Sequence, residues 1–412
     1  MTSSKATRAN AATTLLLLPV LPLLVFYLWY CLAFNRGELA LPSLDMMRQF
    51  PLPTWRSIAI ISGWLVVQVL LQLYIPGKRA EGPPLPDGSR LSYKMNGWVA
   101  WWLTWAVLAA GAALKLYSPD ELADQFGALL VTATFFAFAL SLYLYWHGRH
   151  FATAHERITN NPIYDFWLGT ALNPRVGDFD LKLFFEARPG LIAWVVLDVA
   201  LAARQFQLNG YFSLSMILVC VFQFLYVTDY FAHEEAILST WDIRHENFGW
   251  MLCWGNVVWV PFTYTIQAQF LVNQAAALPW WQVTAIIGLN VAGYVIFRGA
   301  NIQKHRFRKA PDRSVWGKPA AYVRTSGGSL LLMSGWWGLA RHMNYLGDLL
   351  MALAWCLTCG FVSPLPYFYV VYLTILLVHR ERRDHDMCSR RYGKDWDMYC
   401  DKVRYRIIPG LY

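Results

Sequence analysis

The stretch LLLLPVLPLLVFYLWYCLAF, residues 15–34, holds apolar and aromatic side chains and no charge. A membrane-crossing helix needs roughly 20 such residues. The run is too long for the apolar core of a cleavable leader and has no small-residue cleavage site. It predicts a first membrane span, with bounds at 11–34. Working outward, comparable runs recur at 55–75, 97–117, 125–147, 190–208, 210–232, 248–272, 279–299, 347–361 and 362–378. The last two are short and share the turn CGFVSPLP, which suits a tilted hairpin. The prediction is an all-α, polytopic membrane protein of ten spans. Composition agrees, since 57% of the 412 residues are hydrophobic and 15% charged, against about 25% charged in soluble domains.

The net charge of +9 is unevenly placed. Lys and Arg number two before the first span, four in 76–96, five in 148–189, one in 233–247, eight in 300–346 and nine from 379 onward. The intervening connections hold almost none beyond Arg36, Arg48 and Arg56. The basic segments fall on one side of a ten-span chain, which predicts that both termini are cytosolic. No helix-turn-helix, zinc or RNA-binding pattern accompanies the charge, so nucleic acid is excluded as a partner. The partners expected are membrane lipid and whatever enters from it, with no obligate protein partner. Of seven Cys, only Cys356 and Cys359 have CxxC spacing, inside an apolar run with no second pair. They read as small packing residues in a reducing compartment.

No internal repeat or low-complexity segment interrupts the chain. The loop IPGKRAEGPPLPDGSRLSYKMNG is rich in Pro and Gly and reads as extended, with PDG as a turn. The loop NNPIYDFWLGTALNPRVGDFDLKLFFEARPG mixes aromatic and charged residues and predicts an amphipathic segment on the membrane surface. Polar groups in apolar surroundings are denser toward the C-terminus. The expected organisation is therefore residues 1–209 as N-terminal helices and 210–412 as a catalytic half.

In FLYVTDYFAHEEAILSTWDIRHENFGW, residues 224–250, Tyr226, Asp229, Tyr230, His233 and Glu234 lie at i, i+3, i+4, i+7 and i+8, one face of a helix. Glu235, Asp242, His245 and Glu246 follow. Ionisable groups in or near hydrocarbon cost about 2.5–3.5 kcal/mol on insertion scales and face interior cavities. Either the stripe pins helices together or it grips and transforms a substrate. Metal is not expected, because no HExxH is present and His233 has no second His one turn on.

Lys304 and Arg308 share a helical face just past the eighth span, and Arg380 and Asp384 do so past the tenth. Arg341, His342 and Asn344 add donors, with Trp337, Tyr345, Tyr392 and Tyr399 interleaved and Gly335, Gly338 and Gly347 among them. Arg offers a planar fork to phosphate and Lys a point charge. Such cations also meet anionic lipid, but cations, rings and close-approach glycines together suit a nucleotide with several phosphates. Neither GxGxxG after a strand nor GxxxxGK[ST] occurs, so helices and loops would hold it.

The segments NPIYDFWLG, LNPRVGDFDLKLFFEARPGLIAW, DYFAHEEAILSTWDI, FRGANIQKHRFR, SGWWGLARHMNYLGDLLMALAW, LPYFYVVYLTILLVHRERRD and YRIIPGLY occur in order from about residue 76 onward. Together they resemble the sterol reductase family, which takes in sterol C14 reductases, 7-dehydrocholesterol reductases and the C-terminal region of the lamin B receptor. EGPPLPDGSRLSYKMNG, HEEAILSTWDI and the short connection from Lys318 to Ser329 resemble the C14 branch most. One departure is GTALNPR, where that branch usually reads GRELNPR, so Thr170 and Ala171 stand in place of Arg and Glu.

The resemblance implies NADPH in the C-terminal half, a sterol diene in a lipid-accessible cavity, and reduction of its C14=C15 bond. It implies an endoplasmic reticulum membrane in a eukaryote or an inner membrane in a bacterium. Tyr226 is the expected proton donor, tuned by Asp229, Glu234 and Asp242. Lys304, Arg308 and Arg380 are expected to hold the phosphates, and Trp337, His342, Asn344, Tyr345, Asp384, Tyr392 and Tyr399 to line the rest of the cofactor pocket. Three other classes compete. A C7 reductase of the same family shares most motifs. RHMNYLGD before a hairpin also resembles isoprenylcysteine carboxyl methyltransferases, which use S-adenosylmethionine but lack the polar stripe. A membrane anchor would need a large basic or folded N-terminal region.

Overall fold

In the computed structural model, residues 2–85, 88–150, 158–159 and 161–412 are described, with side chains in the first helix from residue 12. Six helices among the described residues are long and apolar enough to cross a membrane: Ala12–Phe34, Trp55–Tyr74, Phe126–His150, Leu181–Asn209, Leu214–Ala232 and Trp280–Lys309. Two shorter apolar helices, Gly97–Ala113 and Met343–Leu357, accompany them. The expected run 248–272 is not one helix. It breaks into Trp250–Trp254, a π-turn at Gly255–Trp259, Val260–Thr263 and Ile266–Asn273. Pro261 lacks the N–H a straight helix needs, and nearly every residue from Val257 to Val272 is buried in protein. Apolarity there reflects an interior position rather than contact with lipid. Of the expected run 362–378, Leu365–Tyr367 form a 3-10 turn and residues 368–378 open a longer helix, Phe368–Tyr392, whose second half is charged.

The chain divides into two units, Met1–Ala275 and Ala276–Tyr412. The expected boundary between 209 and 210 falls inside the first, between two helices that meet along a polar seam. Gln205 on Pro189–Asn209 accepts from the Ser213 N–H at 2.8 Å, and Trp194 Nε1 donates to Gln223 Oε1 of Leu214–Ala232 at 2.9 Å. The Pro/Gly-rich loop is an antiparallel hairpin, Lys78–Pro84 with Arg90–Met95, its register irregular between Glu81 and Pro84.

Much of the loop expected to lie on the membrane surface packs into the first unit. After the two-residue ribbon Arg175–Val176 with Phe179–Asp180, the helix Leu181–Ala187 buries Lys182, Leu183, Phe184, Phe185 and Ala187. Leu183 and Ala187 join Tyr93, Met95, Ile237, Leu238 and Ile243 in one core cluster. Lys182 sustains its burial by donating to the carbonyls of Asp242, Ile243 and Glu246 at 3.1, 2.9 and 3.0 Å. All three ammonium donors are thereby satisfied.

In the second unit, Trp280–Lys309 and Met343–Leu357 cross at Gly293 and Gly347. A Cβ on Gly347 would sit 2.6 Å from the Gly293 oxygen, and one on Gly293 would sit 2.7 Å from the Gly347 oxygen. Only glycine at both positions lets the backbones touch. A ribbon, Tyr322–Arg324 with Leu330–Leu332, and the helix Lys394–Lys402 complete this unit.

Candidate active site

Ser213 caps the stripe helix, its Oγ accepting from the Met216 N–H at 3.2 Å. Tyr226 is half-buried, its ring centroid 6.1 Å from that of Trp194. One turn on, Asp229 meets His233, whose Nδ1 lies 3.3 Å from Asp229 Oδ1 and 3.0 Å from its carbonyl. Tyr230 buries its hydroxyl, which has no hydrogen-bond partner among the described residues. The α-helix ends at Ala232, and Glu234 opens a 3-10 turn.

Glu234 already has a structural task. Its Oε2 accepts from the Gly97 N–H at 2.8 Å, capping Gly97–Ala113, and its Oε1 lies 3.4 Å from Arg188 Nη2. Arg188 also donates to Asn96. Burial raises the Glu234 pKa, against the pull of Arg188 and the Gly97 N–H. Asp242 stands apart on the short helix Trp241–His245, capped by Thr240 and held by Lys182. Of the four residues expected to be catalytic, Tyr226 and Asp229 thus share a helical face, Glu234 closes its end, and Asp242 sits on a neighbouring element.

The second unit gathers the cation–aromatic set. Lys304 Nζ stands 3.9 Å from the centroid of the Trp337 ring, and Trp337 is fixed by donating Nε1–H to the Ala300 carbonyl at 2.8 Å. His342 Nε2 lies 3.5 Å from Asp384 Oδ2, and its ring stacks on Tyr345 at 4.7 Å. Burial first, then Lys304, Arg341 and Arg406, hold His342 down to about 3, so the imidazole is neutral. Burial raises the Asp384 pKa, partly offset by Lys304. Arg308 is exposed one turn beyond Lys304, and Arg380 half-buried one turn before Asp384. Asn344 Oδ1 is buried without a partner among the described residues. Tyr399 is buried and stacked on Trp396 at 5.1 Å, with Tyr392 packed at the same cluster.

His385, Cys400, Arg406 and Glu381, which join this centre through Arg341 and His342, did not stand out in the sequence. Arg341 donates to His385 Nδ1 at 3.3 Å, Cys400 Sγ at 2.9 Å and the Arg404 carbonyl at 3.3 Å. The Arg341 and His342 N–H groups bond the carbonyls of Tyr405 and Arg406. Arg406 pairs with buried Glu381 at 2.9 Å. Glu381 lies at i−3 from Asp384, a spacing that places both on one face and offered the available signal.

Residues 9–412 match the ergosterol biosynthesis ERG4/ERG24 family. The chain belongs to the ERG4/ERG24 family. It is 52% identical over 403 residues to a Delta(14)-sterol reductase of Methylotuvimicrobium alcaliphilum, covering 97% of this chain and 94% of that protein. It is 46% identical to the Delta(14)-sterol reductase TM7SF2 of Mus musculus, covering 96% and 95% of the two chains. A 7-dehydrocholesterol reductase of Xenopus laevis is 38% identical over 98% and 92%. In this ERG4/ERG24 chain the departure at Thr170 is a packing feature. Thr170 is 1% exposed and lies against Gly148, where any Cβ would strike its hydroxyl. The Ala171 carbonyl accepts from the Phe248 N–H at 3.0 Å.

Proposed function

We propose that the chain is a Delta(14)-sterol reductase, a membrane enzyme that saturates the C14=C15 bond of a sterol diene with NADPH. The observation that carries this is the 52% identity, over nearly the full length of both chains, to a protein of that name. The 7-dehydrocholesterol reductase is a more distant relative at 38%. Ten crossings complete the proposed topology, the two shorter apolar helices and the segments 248–272 and 362–378 joining the six long helices.

The cofactor pocket fits the dinucleotide chemically. Lys304 beside the Trp337 ring offers a charge and a face to a phosphate and a ring. Asn344 Oδ1 and Arg341 Nε are buried polar atoms without partners among the described residues, as a ligand rich in donors and acceptors requires. Lys304, Arg308 and Arg380 would hold its phosphates, and Trp337, His342, Asn344, Tyr345, Asp384, Tyr392 and Tyr399 the remainder. When bound, NADPH supplies the hydride. An unactivated alkene does not accept hydride until it is protonated, so the chain must deliver a proton to the sterol. Tyr226 is the proposed donor, and the carboxylates of Asp229, Glu234 and Asp242 favour the developing cation.

The test is reduction of a C8,C14-sterol diene by the purified protein, read by mass spectrometry. Consumption of the diene with NADPH and little with NADH is expected. Lys304→Ala should raise the NADPH KM, by the about 1.5–3 kcal/mol of a charge-assisted contact. Failure to reduce this diene while a C5,C7-sterol diene offered in parallel is saturated at C7, or equal use of both cofactors, would overturn the assignment.

A further inference from the structure

Each reduction of an alkene by protonation and hydride transfer consumes one proton. A donor inside a membrane span must therefore be recharged before every turnover. The stripe helix carries a second phenol suited to that task. Tyr230 lies one helical turn beyond Tyr226 on the same face, toward the end of the helix where His233 and Glu235 are exposed. Its hydroxyl is buried and has no hydrogen-bond partner among the described residues. A buried hydroxyl left unpaired is costly, and nothing in the packing of its ring, which meets Phe231 edge-on at 5.3 Å, requires it. The titratable and charged groups that act on it are Glu186, Glu234, Arg188 and Tyr226. Carboxyls thus stand beyond it on Leu181–Ala187 and on the 3-10 turn, and the candidate donor stands before it.

We propose that Tyr230 is the proton relay that recharges Tyr226 from the carboxyl groups of Glu186 and Glu234. The inference rests on Tyr226 as the donor. In the first step the Tyr226 O–H bond breaks as a C–H bond forms on the sterol, leaving a phenolate. In the second, Tyr230 gives its proton to that phenolate and takes one from a carboxyl, which recovers it from solvent. No electrons move in the recharging steps, and the net uptake is the single proton that the reduction requires. Glu234 can cap Gly97–Ala113 in either protonation state, because its Oε2 accepts the Gly97 N–H while burial raises its pKa and so eases the exchange of a proton. A phenylalanine at 230 keeps the ring and removes only the hydroxyl, so the fold should survive.

The experiment compares first-turnover and steady-state NADPH oxidation by the full chain in lipid nanodiscs with a sterol diene. In Tyr230→Phe the first equivalent of NADPH should be oxidised at close to the wild-type rate. The following steady state should fall by about 10²-fold, the scale of losing one acid–base group. Tyr226→Phe should slow both phases. A melting temperature within about two degrees of wild type is expected for Tyr230→Phe, as for a near-neutral substitution. Equal loss in both phases, or unchanged steady state, would overturn the relay. Wild-type turnover in Tyr226→Phe, or no diene reduction by the wild type, would remove the function on which the relay rests.

Discussion

His342 shows how the fold chooses a residue's charge. The imidazole is buried, stacked on Tyr345, and surrounded by Lys304, Arg341 and Arg406, so it stays neutral down to about pH 3. An unfolded histidine takes a proton below about pH 6.5. Between these values the unfolded chain binds the extra proton. Stability is therefore whole above pH 6.5 and falls as the pH drops toward 3, at about 1.4 kcal/mol per pH unit. Asp384, whose carboxyl burial raises, has the opposite sign and gains stability as the pH falls. The informative quantity is thus the difference between wild type and His342→Gln. Melting temperatures from pH 7.5 to 4.5 should fall less steeply in the variant, and parallel curves would refute the neutral imidazole. The sequence placed His342 among cations, but its neutrality depends on Lys304 and Arg406, which lie far along the chain in opposite directions.

At the scale of elements, the Gly293–Gly347 crossing ties the two helices that begin and end at the proposed cofactor pocket. Trp280–Lys309 delivers Lys304 and Arg308, and Met343–Leu357 starts beside His342. Gly347→Val places carbon against the Gly293 carbonyl, and the helices must part. Overpacking of this kind costs about 1–3 kcal/mol, and parting the helices also separates Lys304 from Trp337 and His342. The variant should melt lower and bind NADPH more weakly. Gly288→Val, on the same helix with nothing within 4 Å of its Cβ, should do neither. Equal behaviour of the two variants would show that the crossing does not set the pocket. The long helices were legible because hydrocarbon demands unbroken apolar runs. The segment 248–272 was not, because hydropathy cannot tell lipid-facing residues from those buried in protein. There Thr263, Thr265 and Gln269 bond the carbonyls of Trp259, Pro261 and Phe262 within the segment itself. The pairing of Glu234 with Arg188 and Gly97 was hidden too, since its partners lie 46 and 137 residues away.

For the whole molecule, the decisive property is which loops meet which aqueous compartment. Five of the six long helices lie in the first unit and one in the second, so helix length alone does not give the parity of crossings. Charge does. The basic connections 76–96, 148–189 and 300–346 and the tail alternate with connections nearly free of Lys and Arg, and such charge sets orientation during insertion. Ser89, in the turn of the hairpin, and Ser314, beyond Trp280–Lys309, are both exposed. Each can therefore report on its loop through a single introduced cysteine. The background must first be cleared of the partly accessible Cys220, Cys388 and Cys400, because only Cys31, Cys253, Cys356 and Cys359 are buried. In sealed vesicles with the cytosolic face inside, a membrane-impermeant maleimide should fail to label Ser89→Cys or Ser314→Cys. Opening the vesicles with detergent should expose both. Labelling of one before detergent would mean an odd number of crossings between residues 89 and 314, and the segment 248–272, with its broken helix, would be the first crossing to remove.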